Sequence, residues 1–257
     1  MTRDYSSVAE TPGIGSSREQ LSMLYTRYVF AAEYCEDKCV LEVACGAGLG
    51  LGYIASHSAR VIGGDYTEPL IKTAGRTYEG QIPLVRLDAH ALPFDRGSLD
   101  LIVCYEALYY FGQPEQFLSE CRRVLSRDGV LLLSSVNPEW AEFNPSPYSC
   151  WYFSATDLDR VLRDHGFTPR LYGAFPAANH SMREHLVSWM KRMAVRFRLI
   201  PATMKGKQWL KRLFLGRLIT VPATLHDGIA VYDAPVPVET GRSVKNFKIL
   251  FAVARLT

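Results

Sequence analysis

Between residues 39 and 136, short runs of aliphatic and β-branched residues alternate with longer stretches of helical periodicity. Such alternation is typical of βαβ units, in which helices connect neighbouring parallel strands. The runs that predict strands are 39–44, 60–65, 83–87, 99–105 and 129–136. We therefore expect an α/β fold built on a doubly wound, mostly parallel sheet.

Two helices are marked by their ends as well as by their spacing. Apolar residues recur at helical intervals over 113–125, and a second helix is predicted over 155–164. Ser154 can cap the second helix and Gly166 can end it.

After Gly173 the sequence becomes basic and is interrupted by prolines, and in this part of the chain only 247–256 again predicts a strand. The 257 residues, 48% of them hydrophobic, are enough for one large core. We therefore predict a helical cap over 1–38, a core formed by 39–173 and 247–257, and a basic insertion over 174–246. Insertions of this length usually carry function, so the insertion is interpreted as an acceptor-binding lid.

The first predicted strand runs into a glycine-rich turn, VLEVACGAGLGLG, and then into a helix. Gly46 and Gly48 tolerate positive φ, and a helix start offers free N–H groups, so a nucleotide could bind there. The dinucleotide fingerprint needs a third glycine where Leu51 stands, which speaks against an NAD-dependent oxidoreductase. Glu42 at the strand end favours a cation over a phosphate.

Four motifs in this order, VLEVACGAG, VIGGDYTEPLI, LDAHALPF and GSLDLIVCYEAL, resemble the class I methyltransferases that use S-adenosylmethionine. The resemblance extends from Arg27 to about Phe167. It implies a seven-stranded Rossmann-like sheet, with S-adenosylmethionine bound across the ends of its first four strands and S-adenosylhomocysteine as the product.

The resemblance also implies roles for individual residues. Asp65 would accept hydrogen bonds from the ribose hydroxyls, and Asp88 with Ala89 would meet the adenine edge. Arg27 would pair with the methionine carboxylate. The full set of predicted cofactor-binding residues is Arg27, Glu42, Ala44, Gly46, Gly48, Asp65, Tyr66, Asp88, Ala89 and Tyr105.

Ala44 departs from the family pattern, which has glycine at this position. Alanine is accommodated there if its φ is negative. A catalytically dead methyltransferase fold with a binding or regulatory role is therefore the alternative hypothesis.

Tyr109 and Tyr110 follow the fourth predicted strand and are candidate acceptor-binding residues, although an aromatic packing cluster explains them equally well. A hydroxyl acceptor would need a general base. The candidates are His180, His185, His226 or a carboxylate of the insertion, and the sequence does not choose among them. No metal site is predicted.

Residues 183–217 hold ten Lys or Arg and one Glu, so their net charge is +9 while the rest of the chain carries −6. Three interpretations stay open: lid helices with solvated charges, peripheral contact with an anionic membrane, and recognition of a phosphate-bearing acceptor. Nucleic acid is not expected, and the oligomeric state is not predicted. No apolar run reaches the length of a membrane span, so we expect a cytoplasmic protein, with peripheral membrane contact as an option.

These observations lead to one hypothesis. The chain is expected to move the methyl group of S-adenosylmethionine to an oxygen of a small-molecule, sugar or lipid-linked acceptor in a biosynthetic pathway. Oxygen ranks ahead of nitrogen and carbon as the nucleophile.

Overall fold

The computed structural model describes residues 4–177 and 218–256. Its centre is a sheet of eight strands in the spatial order β4-β3-β2-β5-β6-β10-β7-β9, with β1 and β8 forming a separate two-stranded ribbon. The strands are β1 (Gly15–Ser16), β2 (Cys39–Val43), β3 (Arg60–Asp65), β4 (Leu84–Arg86), β5 (Leu99–Tyr105), β6 (Leu125–Val136), β7 (Phe167–Pro176), β8 (Ile219–Thr220), β9 (Val236–Pro237) and β10 (Phe247–Leu256).

Helices cover both faces of the sheet, and a buried apolar cluster lies beneath each layer. One layer contains α1 (Arg18–Ala32), α2 (Leu51–Ala55) and α3 (Glu68–Tyr78), and the other contains α4 (Pro114–Val124) and α5 (Ala155–Asp164). This two-sided cover confirms the predicted doubly wound α/β fold.

The parallel half of the sheet positions the site. Strands β4, β3, β2, β5 and β6 run parallel, and β2 lies between β3 and β5. The chain winds outward from β2 in one direction through β3 and β4, and in the other through β5 and β6. In open α/β sheets a crevice forms at the carboxyl ends of the strands where this order reverses.

The antiparallel part departs from the sequence prediction. Strand β7 was not among the predicted strands, because Pro169, Gly173 and Pro176 interrupt its β-forming residues. It pairs with β10 along its whole length, and β10 also pairs with β6. The short β9 adds an eighth strand at the edge, one more than the seven expected.

Strand β6 begins at Leu125, directly after α4, and not at Gly129 as predicted. The pairing with β5 is irregular between Leu99 and Leu101, so residues 126–129 make a bulge near the start of β6.

Helix α1 is fixed at its start and along its outer side. Ser17 and Gln20 form a reciprocal capping box. The described end of the insertion, residues 218–246, returns across this helix. The Asp233 carboxylate accepts a hydrogen bond from the Phe175 N–H, and the Asp233 N–H donates to the Thr26 hydroxyl. These contacts hold α1 between the sheet and residues 218–246.

No helix among residues 4–177 and 218–256 is long and apolar enough to cross a bilayer.

Candidate functional site

A cavity of about 690 Å³ opens at the carboxyl ends of β2, β3, β4 and β5, where the strand order reverses. Helix α1 and residues 5–10 of the N-terminal segment close its other side. The predicted site residues that line it are Arg27, Ala44, Gly46, Asp65, Tyr66, Asp88, Ala89, Tyr105, Tyr109 and Tyr110.

Asp65 lies at the end of β3 and connects two loops. Its Oδ2 accepts the Gly46 N–H at 2.9 Å and its Oδ1 accepts the Thr67 N–H at 2.7 Å. Burial raises the pKa of Asp65, and these backbone hydrogen bonds oppose the rise. Each carboxylate oxygen has a second lone pair, so Asp65 can still accept hydrogen bonds from a diol in the cavity.

Asp88 lies beyond β4 and is half exposed. Its Oδ1 accepts the His90 N–H at 2.9 Å and lies 2.6 Å from His90 Nδ1. Burial opposes ionisation of Asp88, but the hydrogen bonds and charge of His90 outweigh it and hold the pKa below its ordinary value. Asp88 is thus an ionised acceptor at the outer end of the cavity.

The glycine-rich turn after β2 has left-handed backbone at Ala44, with φ of 59°, and at Gly46, with φ of 57°. The condition set for Ala44, a negative φ, is therefore not met. The turn retains the conformation that suits glycine, and alanine adopts it at a strain of about 1 to 2 kcal/mol. A Cβ at Gly46 would meet nothing within 4 Å, so glycine there serves the backbone conformation alone.

Two residues predicted for the site, Glu42 and Gly48, do not line the cavity. Glu42 is buried behind the wall and accepts the Tyr28 hydroxyl at 2.6 Å. A Cβ at Gly48 would approach Ala74 and Tyr78 to 3.0 Å, so this glycine allows α3 to pack closely.

Burial also controls the ionisation of Glu42. It raises the pKa of Glu42 to about 7, against the opposing hydrogen bond from Tyr28 and charge of Arg27. Its Oε2 has no hydrogen-bond partner among the described residues. Glu42 is thus a carboxyl group whose charge is costly at neutral pH.

Arg27 projects from α1 into the cavity wall and is already paired. Its Nη2 lies 2.9 Å from Glu10 Oε2, and its Nε donates to the Met23 carbonyl. The guanidinium has further N–H groups, so a ligand carboxylate would share Arg27 with Glu10.

Glu106 follows β5 directly and was not among the predicted site residues. It lines the cavity with a left-handed backbone, φ 52°. The Tyr109 hydroxyl donates to its Oε2 at 3.2 Å and the Ser134 hydroxyl to its Oε1 at 3.4 Å. The signal that could have found it is an acidic residue placed directly after a buried strand.

Aromatic side chains form the wall beyond Glu106. Tyr109 stacks on Tyr152 with ring centroids 4.7 Å apart, and Tyr110 bonds Ser146 through its hydroxyl at 2.6 Å. Tyr5 of the N-terminal segment packs against Tyr110. Tyr109 and Tyr110 therefore belong both to a packed cluster and to the cavity surface.

Of the three histidines proposed as general bases, one lies in the described part of the chain, and it does not line the cavity. His226 is exposed, does not line it and lies 3.0 Å from the Asp227 carbonyl. His180 and His185 lie outside the described residues, as does the basic segment 183–217.

The charges of the described lining show which ligand fits. Four carboxyl groups face one guanidinium, and the described residues contain no group of three or more metal-ligating side chains. Tyr105 lines the cavity, but its hydroxyl is buried and has no hydrogen-bond partner in the described part of the chain. The site therefore favours a neutral or cationic ligand with several polar groups over an anionic phosphate.

Comparison with known proteins gives a consistent result. A family model described as a methyltransferase domain matches residues 41–133. A probable S-adenosylmethionine-dependent methyltransferase of Mycolicibacterium smegmatis is 30% identical over 61% of this chain and 62% of that protein. The ubiquinone biosynthesis O-methyltransferase of Coxiella burnetii is 32% identical over 43% of this chain and 49% of that protein.

These curated relatives are therefore matched over only about half to three fifths of their own length. A solved structure of a SAM-dependent methyltransferase from Archaeoglobus fulgidus matches with a TM-score of 0.58 and 16% identity, covering 93% of this chain and 95% of that chain. At that identity the likeness is one of fold.

Proposed function

Residues 41–133 form a methyltransferase domain of the class I, S-adenosylmethionine-dependent family, and from this premise we propose that the chain is a methyltransferase acting on a hydroxyl group. The observation that carries the proposal is the acidic cavity at the reversal of strand order, with Asp65 and Asp88 at successive strand ends. The same geometry suits a ligand that has a diol, the hydrogen-bonding edge of a nucleobase and a positive charge.

Three residues of the cavity lining have a part in binding this cofactor. Asp65 accepts hydrogen bonds from the ribose, Asp88 meets the adenine amino group, and Arg27 shares its donors with the methionine carboxylate. When bound, S-adenosylmethionine supplies an electrophilic methyl group on a cationic sulfur.

The acceptor side supports oxygen as the nucleophile. The wall presents tyrosine rings and hydroxyl groups, which suit a neutral ring-bearing acceptor, and it presents a carboxylate that can receive a proton. A relative named as an O-methyltransferase points the same way. Positioning of the acceptor against the methyl group does most of the catalysis, because little net charge develops in the displacement.

Calorimetry with S-adenosylhomocysteine and with NAD tests the proposal directly. We expect saturable binding of S-adenosylhomocysteine and no measurable binding of NAD, since the lining is acidic and the third glycine is missing. Absence of heat with both S-adenosylhomocysteine and S-adenosylmethionine, for a protein that melts cooperatively, would leave only a binding or regulatory role for the fold.

For the basic segment 183–217 we propose peripheral contact with an anionic membrane, which would bring a lipid-linked acceptor to a protein otherwise located in the cytoplasm. The support is the net charge of +9 and the apolar residues that recur in this sequence at helical spacing. They would lie on two helical faces, the first with Leu186, Trp189 or Met190, Met193 and Phe197, and the second with Trp209, Leu210, Leu213 and Phe214. We expect flotation with vesicles containing phosphatidylserine at low salt and release by about 0.5 M salt. Neutral phosphatidylcholine vesicles are the control, and equal flotation with both would exclude an electrostatic contact.

A further inference from the structure

We propose that Glu106 is the general base of this site and takes the proton of an acceptor hydroxyl as its oxygen is methylated. The inference rests on the proposed function and deepens it, because it assigns a catalytic residue to the reaction. Neither the family match nor the relatives assign this role.

The backbone presents Glu106 to the cavity at an energetic cost. The residue follows β5, one of the two central strands between which the winding order reverses, and its φ of 52° is one that side-chain-bearing residues rarely adopt. Strain of this kind persists where the surrounding fold enforces it and is common at active sites. The residue is partly buried and lines the cavity.

Glu106 is also the carboxylate of the described lining that has the weakest hydrogen bonds. Asp65 accepts two backbone N–H groups, Asp88 is bonded by His90, and Glu10 is paired with Arg27. Glu106 receives only two neutral hydroxyl donors, at 3.2 and 3.4 Å. These weak contacts leave it free to bond an acceptor hydroxyl.

The groups that face Glu106 come from four elements. They are Arg27 on α1, Glu10 on the N-terminal segment, Tyr109 in the turn after β5 and Ser134 on β6. Three further titratable groups interact with its charge, namely Cys104 on β5, Tyr110 in the same turn and Tyr152. Burial raises the pKa of Glu106 and the charge of Glu10 adds to the rise, while Arg27 and the two hydroxyl donors oppose it. A carboxylate with a raised pKa is a stronger base than an exposed one.

His90 is the histidine of the described lining, and its position argues against it as the base. Its Nδ1 lies 2.6 Å from Asp88, and its Nε2 is near the Gln113 N–H. Both ring nitrogens thus have partners, one in the same loop and one at the start of α4, whereas Glu106 has unused acceptor capacity.

The reaction balances with these residues. A bond forms between the acceptor oxygen and the methyl carbon, the carbon–sulfur bond breaks and leaves its electron pair on sulfur, and the hydroxyl proton passes to the Glu106 carboxylate and later to water. The positive charge of the sulfur and the negative charge of Glu106 are therefore lost together.

This coupling can be measured without an acceptor. S-adenosylmethionine and S-adenosylhomocysteine differ by one methyl group and its positive charge, so only the former should favour ionised Glu106. We would titrate both ligands calorimetrically in two buffers of different ionisation enthalpy, from about pH 5 to about pH 8. S-adenosylmethionine should release more protons, and its affinity relative to S-adenosylhomocysteine should rise about tenfold or more as the pH increases.

Two variants assign the difference to a residue. Glu106→Gln should abolish the excess proton release while both ligands still bind. Glu42→Gln, which removes a buried carboxyl group with a raised pKa that does not line the cavity, should retain it. The proposal is overturned if wild type shows no excess, if Glu106→Gln keeps it, or if Glu42→Gln alone removes it.

A third variant separates a proton-transfer role from a packing role. Tyr109→Phe deletes one donor to the ionised Glu106, so it should move the midpoint of the proton-release curve to higher pH. This variant tests the assignment even if Glu106→Gln does not fold, because a midpoint that stays at the wild-type pH would contradict the role of Glu106 by itself. Failure of wild type to bind either ligand is a separate result, since it overturns the proposed function and the inference falls with it.

Discussion

At the scale of single residues, Ala44 shows a side chain held in a conformation that suits glycine. We predict that Ala44→Gly raises the free energy of unfolding by about 0.5 to 1 kcal/mol, because relief of left-handed strain exceeds the added chain entropy. Urea denaturation measures the change. Ala47→Gly is the matched control, because Ala47 has no positive φ. This change should lower the free energy of unfolding by a similar amount. A loss of stability in Ala44→Gly would contradict the strain argument.

Asp65 gives the second residue-scale prediction. Asp65→Asn should weaken S-adenosylhomocysteine binding about tenfold to a hundredfold, since it replaces charge-assisted hydrogen bonds and disturbs the Gly46 loop. Asp100→Asn is the control: Asp100 accepts the Cys39 N–H outside the cavity, so this change should reduce stability and leave affinity unaltered. Equal affinity in Asp65→Asn and wild type would remove Asp65 from the binding site.

At the scale of elements, the Tyr28–Glu42 hydrogen bond connects α1 to β2 and makes their packing sensitive to pH. Glu42 has a folded-state pKa of about 7, above its ordinary 4.5, so the stability linked to its protonated form is complete below the unfolded pKa and is lost as the pH rises through about 7. Wild type should lose on the order of 2 to 3 kcal/mol relative to Glu42→Gln between about pH 4 and about pH 8.

Denaturant titrations of both proteins at each pH provide the measurement. The comparison cancels the contributions of Asp65 and Glu106, whose pKa values are also raised. Parallel stability curves for the two proteins would mean that Glu42 does not ionise over this range.

The elements also show what the sequence could predict. Strands β3, β5 and β10 were predicted with their observed bounds, because each contains a short run of apolar residues and has a clear end. Strand β7 was missed, because its prolines and glycine are tolerated only through pairing with β10, which is distant in sequence. Whether such a segment forms a strand depends on its pairing with a strand that comes much later in the sequence, and local sequence patterns do not contain this information.

The same distinction applies to the site. Asp65 and Asp88 were found because strand ends mark them, and the structure places both at the cavity. Glu10 and Tyr5 could not be found, because nothing local indicates that residues 5–10 fold back over the strands. The backbone angle of Ala44 was equally hidden, since the sequence shows only that a glycine has been replaced.

At the scale of the whole molecule, the cavity joins segments that are remote in sequence, so a bound ligand should stabilise the entire fold. S-adenosylhomocysteine at a hundredfold excess over its Kd should add about 2.7 kcal/mol, which raises the melting temperature by about 5 to 10 °C. Differential scanning fluorimetry measures the shift, with NAD as the control ligand. A comparable shift with NAD would indicate a different cofactor.

The position of β10 has a consequence for how the molecule is made. Residues 247–256 leave the ribosome after β6 and β7, yet they lie between these two strands and supply hydrogen bonds to both. Until they emerge, β6 and β7 each present an unpaired apolar edge, which is the kind of surface that associates between nascent chains. Biogenesis of this protein should accordingly depend on chaperone protection late in translation, and premature termination before residue 247 should yield insoluble material even though the cofactor-binding strands are complete.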